Sequence, residues 1–327
     1  MICTVTTALE SYEYLKKFAE ANIRLGADHI FLFLDDGDHE KAAYLNNHPN
    51  ITAIPTDNKY WGRNRPESLN DRQNINSNKV NYVLSDLDFD VWLASIDSDE
   101  FLNICKEYIL NIKGKRYVKL HTYEKLCFPV ENSCDDYCIL NDCAIPENGR
   151  VDIFKRKLSD TELDLAVLLG LIGESSNSSY FNGHTAGKYI VKASKDIVMG
   201  VHNAKRNDGK WIASHKPEDM EFSVLHYDMP SFSIFLDKWG RHAHGAGSSS
   251  FRGARMMIKN SISLINGRLL NNDDLREKYL KKIYSQMVVK NIKQFVELDL
   301  LVCVDFNENY SPNGFSKERI DFILSCF

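Results

Sequence analysis

No stretch of this 327-residue chain approaches the roughly 18 to 20 uninterrupted apolar residues that a membrane-spanning helix requires. Its first residues, Met-Ile-Cys-Thr-Val-Thr-Thr, lack the basic and apolar regions of a secretion signal. The expectation is a soluble cytoplasmic protein, with peripheral contact at the inner membrane face left open. Positive charge is not in excess either: 40 Lys and Arg against 45 Asp and Glu give a net charge of −5, and the pI is near 6.1. That balance provides no basic field suited to duplex nucleic acid, so no nucleic-acid partner is expected. Eight cysteines are present, yet none forms a Cys-x-x-Cys pair, and Cys127, Cys134, Cys138 and Cys143 are spaced by seven, four and five. Free thiols in a reducing compartment fit this better than a zinc site. No repeat at solenoid periods is visible.

What is present centres on Val91-Trp92-Leu93-Ala94-Ser95-Ile96-Asp97-Ser98-Asp99-Glu100-Phe101-Leu102, where an apolar run of strand character meets three acids within four positions. On an extended segment Asp97 and Asp99 face the same way, and two close carboxylates repel unless a cation or proton lies between them. Mn2+ or Mg2+, bound beside a phosphate-bearing substrate, suits such oxygen ligands. A merely solvated acid pair is the competing reading.

With 43% apolar residues the chain can fill a substantial core. Its opening reads as strand 2–7, helix 8–25 stopped by Gly26, and a buried strand 28–34 running into Asp35-Asp36-Gly37-Asp38. Ligands of open α/β sheets bind outside the carboxyl ends of the strands, which makes Asp35 and Asp36 candidates for a nucleotide's base or ribose. A turn with a helix cap would look the same. A helix at 39–47 and a strand at 51–54 continue the alternation. The helix starting at Asn70 opens with Arg72 and Gln73, where an Arg could pair with a diphosphate. Asp86 and Asp88 fall in a polar connection and are set aside.

The order of these features, with Leu25-Gly26-Ala27-Asp28-His29-Ile30, Asp35-Asp36-Gly37, Arg72-Gln73 and Trp92-Leu93 before Asp97-Ser98-Asp99-Glu100-Phe101-Leu102, resembles bacterial glycosyltransferases related to families 2 and 92. The likeness is clearest over residues 1–103. It implies a GT-A fold, an α/β nucleotide-binding mixed sheet flanked by helices, in which Asp-x-Asp holds a divalent metal against a sugar-nucleotide diphosphate. It further implies residues 1–123 for nucleotide-sugar binding and 124–255 for acceptor side and lid, together a catalytic domain, followed by a helical C-terminal cap at 256–327. The donor would be a nucleotide sugar, UDP-linked as the commoner case, and the acceptor a glycan or lipid-linked glycan in polysaccharide assembly. By the same resemblance Gly187-Lys188, Val201-His202 and His226-Tyr227 recur in that order. Lys188 and His202 then join the donor site, and His226 becomes the third metal ligand after Asp97 and Asp99, with His202 the alternative.

The resemblance also implies inverting transfer, which needs a carboxylate base on the acceptor side. Glu131, Asp135, Asp136 and Glu174 are the candidates. The Ser175–Ser179 tract reads as a mobile loop. The Gly-, Ser- and Arg-rich run 240–255, with Arg241, reads either as a lid over the diphosphate or as a basic linker. Two rival functions remain: a haloacid dehalogenase-type phosphatase, whose Asp-x-Asp lies nearer its domain's start, and a non-catalytic carbohydrate- or partner-binding module.

Overall fold

The computed structural model describes residues 1–128, 145–147, 149–217, 222–243, 253–306, 312 and 314–327. Its strands in chain order are β1 (Ile2–Ala8), β2 (His29–Leu34), β3 (Ile51–Pro55), β4 (Trp92–Ser95), β5 (Glu100–Ile104), β6 (Tyr117–Lys125), β7 (Val151–Lys155), β8 (Lys188–Lys192), β9 (Ile197–Met199), β10 (Ala204–Arg206), β11 (Phe222–His226) and β12 (Leu301–Asp305). Helices separate the first four, so the fold is mixed α/β with flanking helices and a largely helical C-terminal region. Among the described residues no helix is long and apolar enough to cross a membrane.

The chain divides into two compact units: residues 1–121, 186–224 and 308–327 form the first, and 122–185 with 225–307 the second. The residues after 255 are thus shared between the units.

In the first unit β1 runs parallel to β2 and to β4, and β2 parallel to β3, with Val5 opposite both Phe31 and Ser95. β8 closes this group antiparallel to β4, and Tyr117–Leu120 of β6 lies antiparallel to β8. Parallel strands covered on both faces are apolar throughout, as β2 is: all six of its residues are buried. The crossover helix Tyr12–Arg24 is capped by Ser11 and ends before Gly26, whose φ of 112° only glycine adopts readily. Val5, Phe31, Phe33, Leu93, Tyr189 and Val191 form the heart of this unit's core, which the final helix Lys317–Ser325 joins through Ile323.

The helix Leu69–Leu84 departs from the usual rule that a packed helix turns its apolar side inward. Arg72, Gln73, Asn76, Ser77 and Asn81 are buried with Val80, Val83 and Leu84, while Ile75 is exposed. The polar face finds partners on the strands. Asn76 donates to Thr7 Oγ1 at 2.9 Å, Ser77 and Ser95 share a hydroxyl bond of 2.9 Å, and Asn81 donates to the carbonyls of Ser194 and Ile197. Buried polar atoms cost little once they are bonded, and these bonds fix the helix's rotation over the strand ends.

In the second unit the end of β6 pairs antiparallel with β7, and β7 with β12. One cluster gathers Leu126, Phe128, Ile153, Tyr180, Phe181 and Phe295, and another packs Phe235, Trp239, Ile262, Leu280 and Tyr284 between helices Phe232–Ala243, Ala254–Arg268 and Asp273–Tyr284. The serine-rich tract is not all loop: Ser176 caps the short helix Asn177–Tyr180, and Tyr180, just after the tract, is buried. That aromatic residue supplies the burial that a count of serines overlooks.

Helix Asp160–Leu168 carries a capping box, Ser159 with Glu162, and Glu162 also receives Arg156 Nη2 at 2.6 Å. The Arg156 bond, with the Ser159 bonds, holds the Glu162 carboxyl down at about 2 from its usual 4.5. A depressed carboxylate stabilises the fold above its unfolded pKa and ceases to do so as pH falls through the folded one. Glu162→Gln should therefore lower stability by about 1 kcal/mol at pH 7, a partly solvated pair being screened. Urea denaturation should show that difference shrinking between about pH 4.5 and pH 2.

Candidate functional site

The chain reverses immediately after β4. Residues 97–99 do not continue the strand: Glu100 donates its N–H to the Asp97 carbonyl at 3.0 Å, and the chain returns in β5. The alternation argument for Asp97 and Asp99 is corrected accordingly, because a tight turn presents the acids here. Both are partly exposed, while Glu100 is wholly buried. Its Oε2 accepts the Asp97 N–H at 2.8 Å and lies 3.2 Å from the Lys188 ammonium. Lys188, 1% exposed, also bonds Asp97 Oδ2 at 3.0 Å, and Gln73 Nε2 donates to Asp97 Oδ1 at 2.6 Å. Tyr14 OH donates to the Ser98 carbonyl at 3.0 Å and holds the tip of the turn.

Burial by itself would lower the Lys188 pKa, but Asp97 and then Glu100 outweigh it and raise it, so the ammonium stays charged. Two carboxylates around one buried cation leave a net negative group beneath a partly exposed turn. Lys188 was expected to face a phosphate; the bonds it makes are to these carboxylates. Gly187 before it has φ 71°, and a Cβ there would stand 2.4 Å from the Leu120 carbonyl oxygen, so glycine is sterically required at 187.

Asp35 and Arg72 meet each other. Arg72 grips the Asp35 carboxylate with Nε at 2.8 Å and Nη2 at 2.7 Å, and spends Nη1 on the carbonyls of Pro66 and Glu67. Arg65 adds a contact of 3.1 Å to the same carboxylate. This bidentate pair is buried, so pairing of Arg72 with a diphosphate requires exchange of one of those bonds. Asp36 is exposed, takes Lys41 Nζ at 2.5 Å and accepts the Asp38 N–H. His202 Nδ1 lies 3.1 Å from the Gly187 carbonyl oxygen, and Lys119 donates to its own carbonyl.

His226, at the end of β11 and 3% exposed, belongs to the second unit, as do Arg241 and Glu174. Within that unit its Nε2 is 3.7 Å from Asp228 Oδ1, and its ring stacks on His184 with centroids 5.1 Å apart. Asp228 also contacts Lys238 and, at 3.4 Å, Arg255. A Cβ on Gly183 would stand 2.6 Å from the His226 ring, so glycine lets that loop approach the imidazole. Glu124 holds the loop by accepting the N–H groups of Asn182 at 2.8 Å and Gly183 at 2.5 Å, with Lys155 3.2 Å away. A second buried pair, Lys125 with Asp152 at 2.7 Å, is bonded through Asp152 to Tyr227 OH. Burial first, then Lys238, Arg255 and Arg241, push the His242 imidazole down to about 4, so it is neutral at physiological pH. Arg241 is partly buried in the last turn of its helix. Glu174 is exposed and accepts the Ser179 hydroxyl at 2.6 Å. Glu131, Asp135, Asp136, Cys134, Cys138, Cys143 and His244 lie outside the described residues.

Glu100 is the member of the first unit's site that sequence reading passed over, although it stands in the same acidic run. Its signal was the apolar Phe101-Leu102 directly after it, which draws the strand, and Glu100 with it, into the core. No family model matches the chain, and no curated protein shows significant similarity to it.

Removing one partner from a buried ion pair leaves an uncompensated charge, at a cost of about 3 to 5 kcal/mol. Lys188→Met should lose about that much stability, measured by urea unfolding. A loss under about 1 kcal/mol would show that Glu100 and Asp97 do not depend on the ammonium.

Proposed function

We propose that this protein is a metal-dependent glycosyltransferase, moving a sugar from a nucleotide-sugar donor, UDP-linked by preference, to a hydroxyl of a glycan or lipid-linked glycan. The observation that carries the reading is the Asp97–Glu100 turn at the carboxyl end of β4, where partly exposed Asp97 and Asp99 stand above the buried Glu100–Lys188 pair. Asp35 ends β2 on the same edge of the parallel strands, the edge at which open α/β sheets bind nucleotides. The resemblance in residues 1–103 supports the same assignment.

The donor set suits a hard divalent ion such as Mn2+ or Mg2+, because the turn offers carboxylate oxygens. Asp97 already shares both oxygens with Gln73 and Lys188, so we assign the larger share of ligation to Asp99. A bound ion would supply charge neutralisation for the departing diphosphate. Lys188 keeps Asp97 oriented, Gln73 fixes its rotamer, and Tyr14 steadies the turn. In the transfer the acceptor oxygen bonds to the anomeric carbon, the bond to the diphosphate breaks, and the hydroxyl proton passes to a carboxylate base. Attack from the face opposite the leaving group inverts the anomeric centre.

A panel of nucleotide sugars with Mn2+, with and without acceptor glycans, tests the proposal through release of nucleoside diphosphate. Asp99→Ala should lower kcat/KM about a hundredfold or more, the range lost when charge stabilisation of a leaving group is removed. UDP should raise the melting temperature only when Mn2+ is present. Metal-independent release, or full activity in Asp99→Ala, would falsify the assignment. Release of inorganic phosphate from phosphomonoesters would favour the phosphatase reading instead.

A further inference from the structure

Three of the four tryptophans are buried, Trp61 at 9%, Trp92 at 3% and Trp239 at 1% exposure, whereas Trp211 is 65% exposed. It stands on a rigid support in the first unit. β9 and β10 pair antiparallel, with Val198 opposite Lys205, and Trp211 bridges to Lys205 as a further rung. The inner side of this small sheet, Ile197, Met199 and Ala204, is part of the buried core. The turn leading to the indole is closed on itself: Arg206 N–H donates to the Lys210 carbonyl and Gly209 N–H to the Arg206 carbonyl, both at 2.9 Å. Gly209 has φ 80°, and Asp208 accepts the Lys210 N–H at 3.0 Å. An aromatic ring held on such a support loses little freedom on binding.

The surroundings are polar and cationic in a protein that is acidic overall. The Lys205 ammonium lies 4.3 Å from the indole centroid, a cation–π contact, and Arg206 and Lys210 are the next residues along the hairpin. Asp208 is the acid of the turn, 3.3 Å from Arg206 and 3.8 Å from Lys210, so residues 205–211 carry three cations and one carboxylate, two of the cations beside it. One indole and a half-exposed Val198 give too little apolar area for the desolvated centre of a protein interface. They suit a smaller partner. The C–H face of a pyranose ring covers about one indole, its hydroxyls can bond the polar rim, and a carboxylate on the sugar would meet Lys205 within the net positive field of the hairpin.

We propose that Trp211 with Lys205, in the positive field that Arg206 and Lys210 add, forms a docking platform for an acidic oligosaccharide, which holds the acceptor glycan by a stretch outside the reacting residue. This rests on the glycosyltransferase reading for its purpose but not for its test. As the one exposed tryptophan, Trp211 dominates any ligand-induced change in tryptophan emission. The full chain, without metal or nucleotide, is titrated with tetragalacturonate, with maltotetraose as the neutral control and a poly-glutamate peptide as the non-sugar polyanion.

Tetragalacturonate should shift and quench the emission, and Lys205→Gln with Lys210→Gln should weaken it at least fivefold. Trp211→Ala, followed by calorimetry because it removes the reporter, should bind at least tenfold more weakly with an unchanged melting temperature. No response to tetragalacturonate overturns the proposal. So does equal binding of maltotetraose, which would remove the role of charge, or of poly-glutamate, which would make the surface a general polyanion or protein contact. Asp99→Ala should bind tetragalacturonate as the parent does, so loss of transfer activity and loss of the platform are read separately. In an active enzyme Trp211→Ala should raise the acceptor KM about tenfold and leave acceptor-independent donor hydrolysis unchanged.

Discussion

The buried ammonium of Lys188 is the constraint on which the first unit's site depends. It comes from β8, the strand antiparallel to β4, and neutralises carboxylates at the two ends of a four-residue turn. Without it, Asp97 and Glu100 would place two negative charges where at least one is entirely out of water. Such a pair does not stay ionised unaided. The turn's backbone bond, its carboxylate orientation and the register of β8 against β4 therefore stand or fall together. The burial costs desolvation energy, and the return is a carboxylate whose direction is set before any ligand arrives.

The long helix Leu69–Leu84 completes that arrangement by packing a polar face. Gln73 reaches the turn, Arg72 reaches Asp35 two strands over, Asn76 reaches Thr7 on the strand between, and Ser77 reaches Ser95 on β4. Four consecutive contacts at helical spacing run along the carboxyl ends of β1, β2 and β4. An apolar helix could cover the same strands, but it could not bond their polar ends, nor hold two acids in fixed rotamers. The price is adaptability, since Arg72, Gln73, Asn76 and Ser77 would each have to give up a bond to turn toward a ligand.

Much of this architecture is legible in the residues, because strands buried on both faces leave unmistakable apolar runs and Gly26 marks the helix stop. The β-α-β opening and the strand at 51–54 both follow from pattern alone. The site was legible as a set of residues and not as a set of bonds. Asp35, Arg72, Gln73, Asp97 and Lys188 were each read as facing a ligand, and the structure bonds them to one another. Sequence spacing reports which residues share an edge; it carries no information on whether two of opposite charge will satisfy each other first. Glu100 was overlooked for a related reason. A carboxylate beside apolar residues looks like the end of a polar turn until the buried lysine 88 positions later is brought beside it.

The second unit repeats the physical theme without the acid turn. Lys125 with Asp152 and Lys155 with Glu124 are both buried, and in each pair one member bonds something else: Asp152 the Tyr227 hydroxyl, Glu124 the backbone of Asn182 and Gly183. Ion pairs of this kind seldom raise stability over an apolar substitute. Their effect here is geometric. Glu124 draws the 182–183 backbone so close to His226 that only glycine fits at 183, and the neighbouring His184 ring then stacks on the His226 imidazole. A larger residue at 183 would separate the two rings even with every charge left in place, so the position of His226 is governed by a backbone approach and not by its own hydrogen bonds alone.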